Sequence, residues 1–155
     1  MPRYLGIIST PRPREEAFDY LADFASVAEW DPSVVEAHAL DSGPPRVGSR
    51  LKVVVRTAGR ETPFTYEIEE LERPARVVLR AETAAVVSLD TITFAANAAG
   101  TDVTYDADLR LKGPLRLLEL PMRVAFKRLA ENAKAGLERE LGMAEAQPEA
   151  IPAAS

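Results

Sequence analysis

Hydrophobic and polar positions follow two different periods along this chain, and the change of period divides it. Across residues 115–141, apolar side chains recur every three or four positions, at Leu115, Leu118, Met122, Phe126, Leu129, Ala133, Leu137 and Leu141. That spacing traces one face of an α-helix. At about 1.5 Å per residue such a helix would run ~40 Å, enough to cross a small domain. The other face carries Arg116, Arg123, Lys127, Lys134 and Glu138 and is expected to meet water. A helix this one-sided needs a broad apolar surface beneath it.

The residues before it supply that surface with a period of two. Residues 3–10 predict a first strand, which Pro11 and Pro13 end while setting up a helix start. Glu15 and Glu16 suit the positive end of that helix, and Ala17, Phe18, Leu21 and Ala22 form its buried face. Ser26-Val27-Ala28-Glu29 has capping-box spacing, which predicts a second, very short helix ending near Trp30-Asp31-Pro32. Strands follow at 34–40, 51–57, 62–72, 76–82 and 86–95. In the last strand Val103, Tyr105, Ala107, Leu109 and Leu111 face one way, and Thr104, Asp106, Asp108 and Arg110 the other. Gly113-Pro114 ends it and starts the long helix. Connections this short imply an antiparallel meander, because parallel pairs need a crossover of about a dozen residues or more. The predicted fold is α+β: one strand, two short helices, six further strands and a long C-terminal helix. Residues 1–142 form one domain, and 143–155 lose the periodicity, gain proline and read as a disordered tail.

Composition narrows the function. With 155 residues and 46% hydrophobic content the chain can bury a core, and there is room for one domain. The net charge of −5, from 19 basic and 24 acidic residues mixed along the chain, argues against nucleic acid as a partner. No cysteine is present, which excludes disulfides and thiolate chemistry and suits a reducing compartment. The opening MPRYLGIISTPRP is too short an apolar run for a signal-peptide core, and nothing approaches a membrane span, so stable membrane insertion is not expected and the expected location is cytoplasmic. One histidine and no cysteine give no basis for a transition-metal site. No G-x-G-x-x-G or P-loop pattern appears, and no cofactor is expected.

Several separated segments resemble one superfamily. PREEAFDYLADFASVAEWDPSV is similar to the opening helix pair of START-like proteins, also called Bet v 1-like, SRPBCC or helix-grip proteins, and GPPRVGSRL to their loop into the third strand. SLDTITF, followed by GTDVTYDADLRLKGPLRLLELP, resembles the last hairpin and the entry to the C-terminal helix, within the polyketide cyclase/dehydrase group. The resemblance covers about residues 3–141. It implies a helix-grip fold, in which a seven-stranded curved antiparallel sheet wraps around the C-terminal helix. It also implies a deep cavity between the two, used across the superfamily for lipids, polyketides, quinones and hormones. It does not imply an enzyme.

Candidate site residues follow from strand alternation. Asp90 shares a face with Ser88, Ile92 and Phe94; a carboxylate facing a cavity must be hydrogen-bonded, and it could orient a ligand or move a proton. A structural carboxylate tied to a neighbouring strand is the competing reading. His38, the one histidine, shares a side with Val34, Glu36 and Leu40; it is a candidate acid or base, although no partner motif accompanies it and a rim or surface position is preferred. Trp30, Tyr66, Phe94, Tyr105, Leu118, Met122 and Phe126 are candidates to line a pocket, each of which could equally be ordinary core. A buried tyrosine hydroxyl needs a partner, so Tyr66 or Tyr105 is expected to contact a polar ligand group. The basic stripe on the helix reads as a solvated face, since Lys127 with Glu131 and Lys134 with Glu138 are i,i+4 pairs.

Three functions are consistent with these residues. The first is a carrier or sensor of a hydrophobic small molecule, as monomer or homodimer. The second is a cyclase/dehydrase-type enzyme using Asp90, His38 or a tyrosine. The third is a protein-interaction module of co-chaperone type, which would need an exposed apolar patch.

Overall fold

A computed structural model of the chain describes residues 3–118, 124 and 127–142. The expected tail, 143–155, and the pocket candidates Met122 and Phe126 lie outside the described residues, as does the side chain of Leu118.

Strand β1 (Arg3–Thr10) is followed by helix α1 (Arg14–Ala22), a 3-10 turn (Phe24–Ser26) and helix α2 (Val27–Trp30). Strands β2 (Val34–Ala39), β3 (Arg50–Thr57), β4 (Arg60–Glu72), β5 (Arg76–Glu82), β6 (Val86–Asn97) and β7 (Gly100–Leu111) form a meander. Every neighbouring pair is antiparallel, in the order β1-β7-β6-β5-β4-β3-β2, so β1 returns to close one edge beside β7. A 3-10 turn (Gly113–Leu118) leads away from β7, and residues 127–142 form the C-terminal helix α3. This is the predicted α+β architecture: a curved seven-stranded sheet with α3 against its concave face. Among the described residues no helix is long and apolar enough to cross a membrane.

Two packing arrangements hold α3 and α1 against the sheet. Ala17, Phe18 and Leu21 bury the inner face of α1, and Phe18 meets Phe94 of β6 edge-to-face with ring centres 5.2 Å apart. At the other site Leu137 and Leu141 of α3 are each 1% exposed and belong to the same core as Trp30, Leu79 and Ile92. Gly136 makes this approach possible. A Cβ there would collide with the carbonyl oxygen of Trp30, so only glycine lets α3 lie this close to the end of α2.

Four expectations change. Gly113–Leu118 is a 3-10 turn rather than the first turn of the long helix, with Lys112 O accepting from Leu115 N–H at 3.3 Å. Ser26 and Glu29 form no capping box: Ser26 already has helical angles (φ −63°, ψ −15°), whereas an N-cap needs extended ones, and its hydroxyl donates to Tyr20 O at 3.0 Å. Strand β2 carries a bulge, since Val34 pairs with Val55 and Glu36 with Val54. That extra residue breaks the alternation, so Val34 is buried while Glu36 and His38 are exposed and Ala37 turns inward. Lys134 does not stand wholly in water; its side chain is 33% exposed and its stem reaches over Gly6 of β1.

Gly136→Ala is expected to destabilise the protein by about 2 kcal/mol or more, because the new methyl group must displace backbone rather than a side chain. Gly142→Ala, where none of the described residues lies within 4 Å of the added carbon, is expected to be neutral or stabilising. Urea unfolding of the two variants checks the contrast.

Candidate ligand-binding site

Burial along β7 locates the site. Val103 and Leu111 are buried, but Tyr105, Ala107 and Leu109 between them, on the same inward face, are only half-buried. The middle of the concave face therefore looks onto open space. A cavity of about 440 Å³ lies there, between the sheet and α3. Leu129, Ala130, Ala133, Lys134 and Leu137 form its helix wall. Val55, Phe64, Tyr66, Val86, Ala107 and Leu109 contribute to its sheet wall, which is mostly apolar.

Register explains the polar groups. Tyr66 of β4 and Ser88 of β6 both pair with Ala81 of β5, so they flank a small side chain in one row across the sheet. Their hydroxyls meet over it, Tyr66 donating to Ser88 Oγ at 3.2 Å. Ser88 in turn donates to Asp90 Oδ1 at 3.2 Å. On β7, Asp90 faces Ala107, and Tyr105 sits two residues further along the diagonal. With only a methyl group opposite, the Tyr105 hydroxyl reaches across and donates to Asp90 Oδ2 at 2.7 Å. Tyr105 itself pairs with Gly6, which has no side chain to occupy the space, and Tyr4 fills in beside it.

The second polar element comes from the end of α2. Asp31 accepts hydrogen bonds from Ser33 N–H at 2.9 Å and from Ser33 Oγ at 2.7 Å, a turn closed by the side chain. Asp31 and Ser33 line the cavity together with Trp30. The Trp30 ring packs edge-on to Tyr105 with centres 5.9 Å apart, which brings this element next to Asp90. The indole N–H of Trp30 is buried and has no hydrogen-bond partner among the described residues.

Burial dominates the electrostatics. It pushes the Asp90 carboxyl up to about 6, against the hydrogen bonds from Tyr105 and Ser88, which favour the charged form. The charge of Asp31 adds to that rise. Asp31 is raised too, again by burial, with the two Ser33 hydrogen bonds opposing. The Tyr105 hydroxyl stands well above 10 because it is buried and faces Asp90, so it stays a donor. The arrangement can hold a hydroxyl, amine or carbonyl against two carboxyls, or exchange a proton at Asp90 near neutral pH.

Of the residues singled out by sequence, the structure brings Trp30, Tyr66, Asp90 and Tyr105 to one cavity. Phe94 is not among its lining; it is 3% exposed and covered by Phe18, because α1 closes that end of the concave face. His38 lies outside on β2, its Nδ1 3.0 Å from Glu36 Oε1, with the bulge turning it from the interior. Sequence reasoning overlooked Asp31, Ser33, Phe64 and Lys134 as lining residues. For Asp31 a signal was present: an aspartate two residues before a serine, directly after a core tryptophan, is the pattern of a side-chain-closed turn.

A curved antiparallel sheet gripping a C-terminal helix over a mainly apolar cavity is the START-like, helix-grip fold. The chain belongs to the family described as "Polyketide cyclase / dehydrase and lipid transport", whose profile matches residues 8–142, and hydrophobic-ligand binding is supported at the level of that family. Among solved structures it is similar to a START superfamily protein from Mycobacterium smegmatis (TM-score 0.72, 14% identity, 90% of this chain and 96% of that one). It is also similar to the protein TTHA0849 from Thermus thermophilus (TM-score 0.72, 19% identity, 90% and 94%). A third likeness is to ginseng major latex-like protein 151 from Panax ginseng (TM-score 0.64, 10% identity, 90% and 96%). At these identities the likeness establishes the fold. A comparison with curated protein sequences finds no match.

Relative to an Asp90→Asn variant, the wild-type protein is expected to lose stability as pH rises. Its raised carboxyl binds a proton more tightly when folded than when unfolded, so that advantage is complete below about pH 4 and gone above about pH 7. The difference between the two unfolding free energies should change by about 3 kcal/mol over that range. Urea titrations at several pH values measure it, and a constant difference would contradict the buried-carboxyl assignment.

Proposed function

We propose that the protein binds a hydrophobic small molecule, of lipid, polyketide or quinone type, in the cavity between sheet and α3, acting as a carrier or sensor. The observation that carries this reading is the volume of about 440 Å³ left open among the described residues between the sheet and α3, beside a core of buried side chains. That volume falls within the range of roughly 300–1,000 Å³ usual for small-molecule sites. The lining supports the same reading: apolar walls with a few polar groups gathered around Asp90 and Trp30.

One observation favours an enzyme as the second reading. Asp90 is held near 6 with a hydroxyl donor on either side, which suits proton transfer to a substrate lying in the cavity. If so, ligand recovered from purified wild-type protein and from Asp90→Asn should differ, in mass after a dehydration or in chromatographic retention and fragmentation after a cyclisation that loses no atoms, product in one and substrate in the other; ligands identical by all three favour the carrier. The interaction-module reading has less support, because Leu5 and Ile7 lie on β1 and Val35 on β2, at opposite edges of the sheet, so these exposed apolar side chains form no single patch.

Replacing Ala107 by tryptophan places a large ring in the cavity from β7. Displacement of a neutral lipophilic dye should show affinity falling about tenfold or more while the cooperative unfolding transition is kept, since the added ring occupies ligand space. Undiminished binding by Ala107→Trp would place the ligand elsewhere.

A further inference from the structure

The charges around the cavity are unbalanced, and this bears on what enters it. Two carboxyls, Asp31 and Asp90, belong to the lining, and each is bonded only by neutral hydroxyl or amide donors. Neither has a lysine or arginine within ion-pair distance among the described residues, although ion pairs are frequent on the outer surface of the same sheet. One cation, Lys134, reaches the lining of the described residues, and its ammonium is 3.3 Å from Glu138. Buried carboxylates are ordinarily paired, and one left without a counter-ion is costly. Around these two stand Trp30, Tyr66 and Tyr105, aromatic rings of the kind that attract a cation.

Resting on the ligand-binding reading above, we propose that the ligand is an apolar molecule whose single polar end is a protonated amine. Its ammonium sits between Asp90 and Asp31, among the rings of Trp30 and Tyr105, and supplies the positive charge that the described residues do not place beside these carboxyls. Its apolar body lies along Ala107, Leu109, Leu129 and Ala133. A carboxylate of the same length, by contrast, would bring a third negative group into the same buried space. A neutral alcohol would satisfy hydrogen bonds without balancing charge. The selectivity therefore lies in the head group.

Isothermal titration calorimetry near neutral pH with n-decylamine, n-decanol and decanoate, each below its aggregation threshold, separates these cases. The amine should bind about tenfold or more tighter than the alcohol, and the acid should be weakest, because charge-assisted hydrogen bonds are roughly twice as strong as neutral ones and like charges repel. In the Asp31→Asn, Asp90→Asn double variant the preference for amine over alcohol should collapse to within about threefold. Binding of the alcohol or the acid as tight as that of the amine overturns the inference and leaves the cavity reading intact. Binding of none of the three overturns both.

Discussion

The structure depends on a geometric mismatch: a straight helix laid against a curved sheet can touch it closely in some places only. Contact is made where Gly136 lets α3 meet the backbone of Trp30, and where Leu137 and Leu141 enter the core. On the same sheet α1 closes a separate region through Phe18 on Phe94. Between these contacts, among the described residues, the concave face borders the cavity. The cavity lies between these contacts, so its position follows from the same contacts that hold the helices to the sheet.

Small residues are as important to the site as large ones. Ala81 lets Tyr66 reach Ser88, Ala107 leaves room for Tyr105 to reach Asp90, and Gly6, opposite Tyr105, leaves its own side-chain space to Tyr4 and the stem of Lys134. Each polar group thus finds a partner across a gap that a larger neighbour would fill. The outcome is a buried carboxyl with hydrogen bonds to both oxygens but no counter-ion among the described residues, in a wall that is otherwise mostly apolar. Few convergent polar groups in an apolar wall are the arrangement by which small-molecule sites in general fix a ligand's orientation.

Much of this arrangement was legible in the chain. Strand patterning with proline breaks placed β1 and β5 at their observed bounds, and helical spacing put Leu137 and Leu141 on the buried side of α3. The inward set on β7 was also readable, from Val103 to Leu111. What alternation could not show is which part of an inward face meets another element and which part meets space. Phe94 and Asp90 share a face of β6, yet α1 covers one and the cavity lies over the other. His38 lies at the surface, the position preferred from sequence, but its grouping on one face with Val34 fails for a local reason, since a one-residue bulge between Val34 and Glu36 reverses the parity of everything after it in β2. Lys134 falls on the polar side of the helical pattern, but its long apolar stem follows the cavity while its ammonium turns to Glu138. Asp31 was hidden because its role is set by a turn and by the neighbouring Trp30 rather than by periodicity.

The most direct test of the central claim is whether the space exists in solution. Xenon enters apolar voids without needing any specific head group, so methyl NMR spectra recorded under xenon pressure report on the cavity itself. The methyl groups of Ala107, Ala133 and Leu129 are predicted to shift with xenon, while those of Val77, Ile92 and Val103, which are fully buried in the packed core, stay in place. Equal and negligible shifts in both sets would mean that the sheet and α3 close upon each other, and the account would be contradicted.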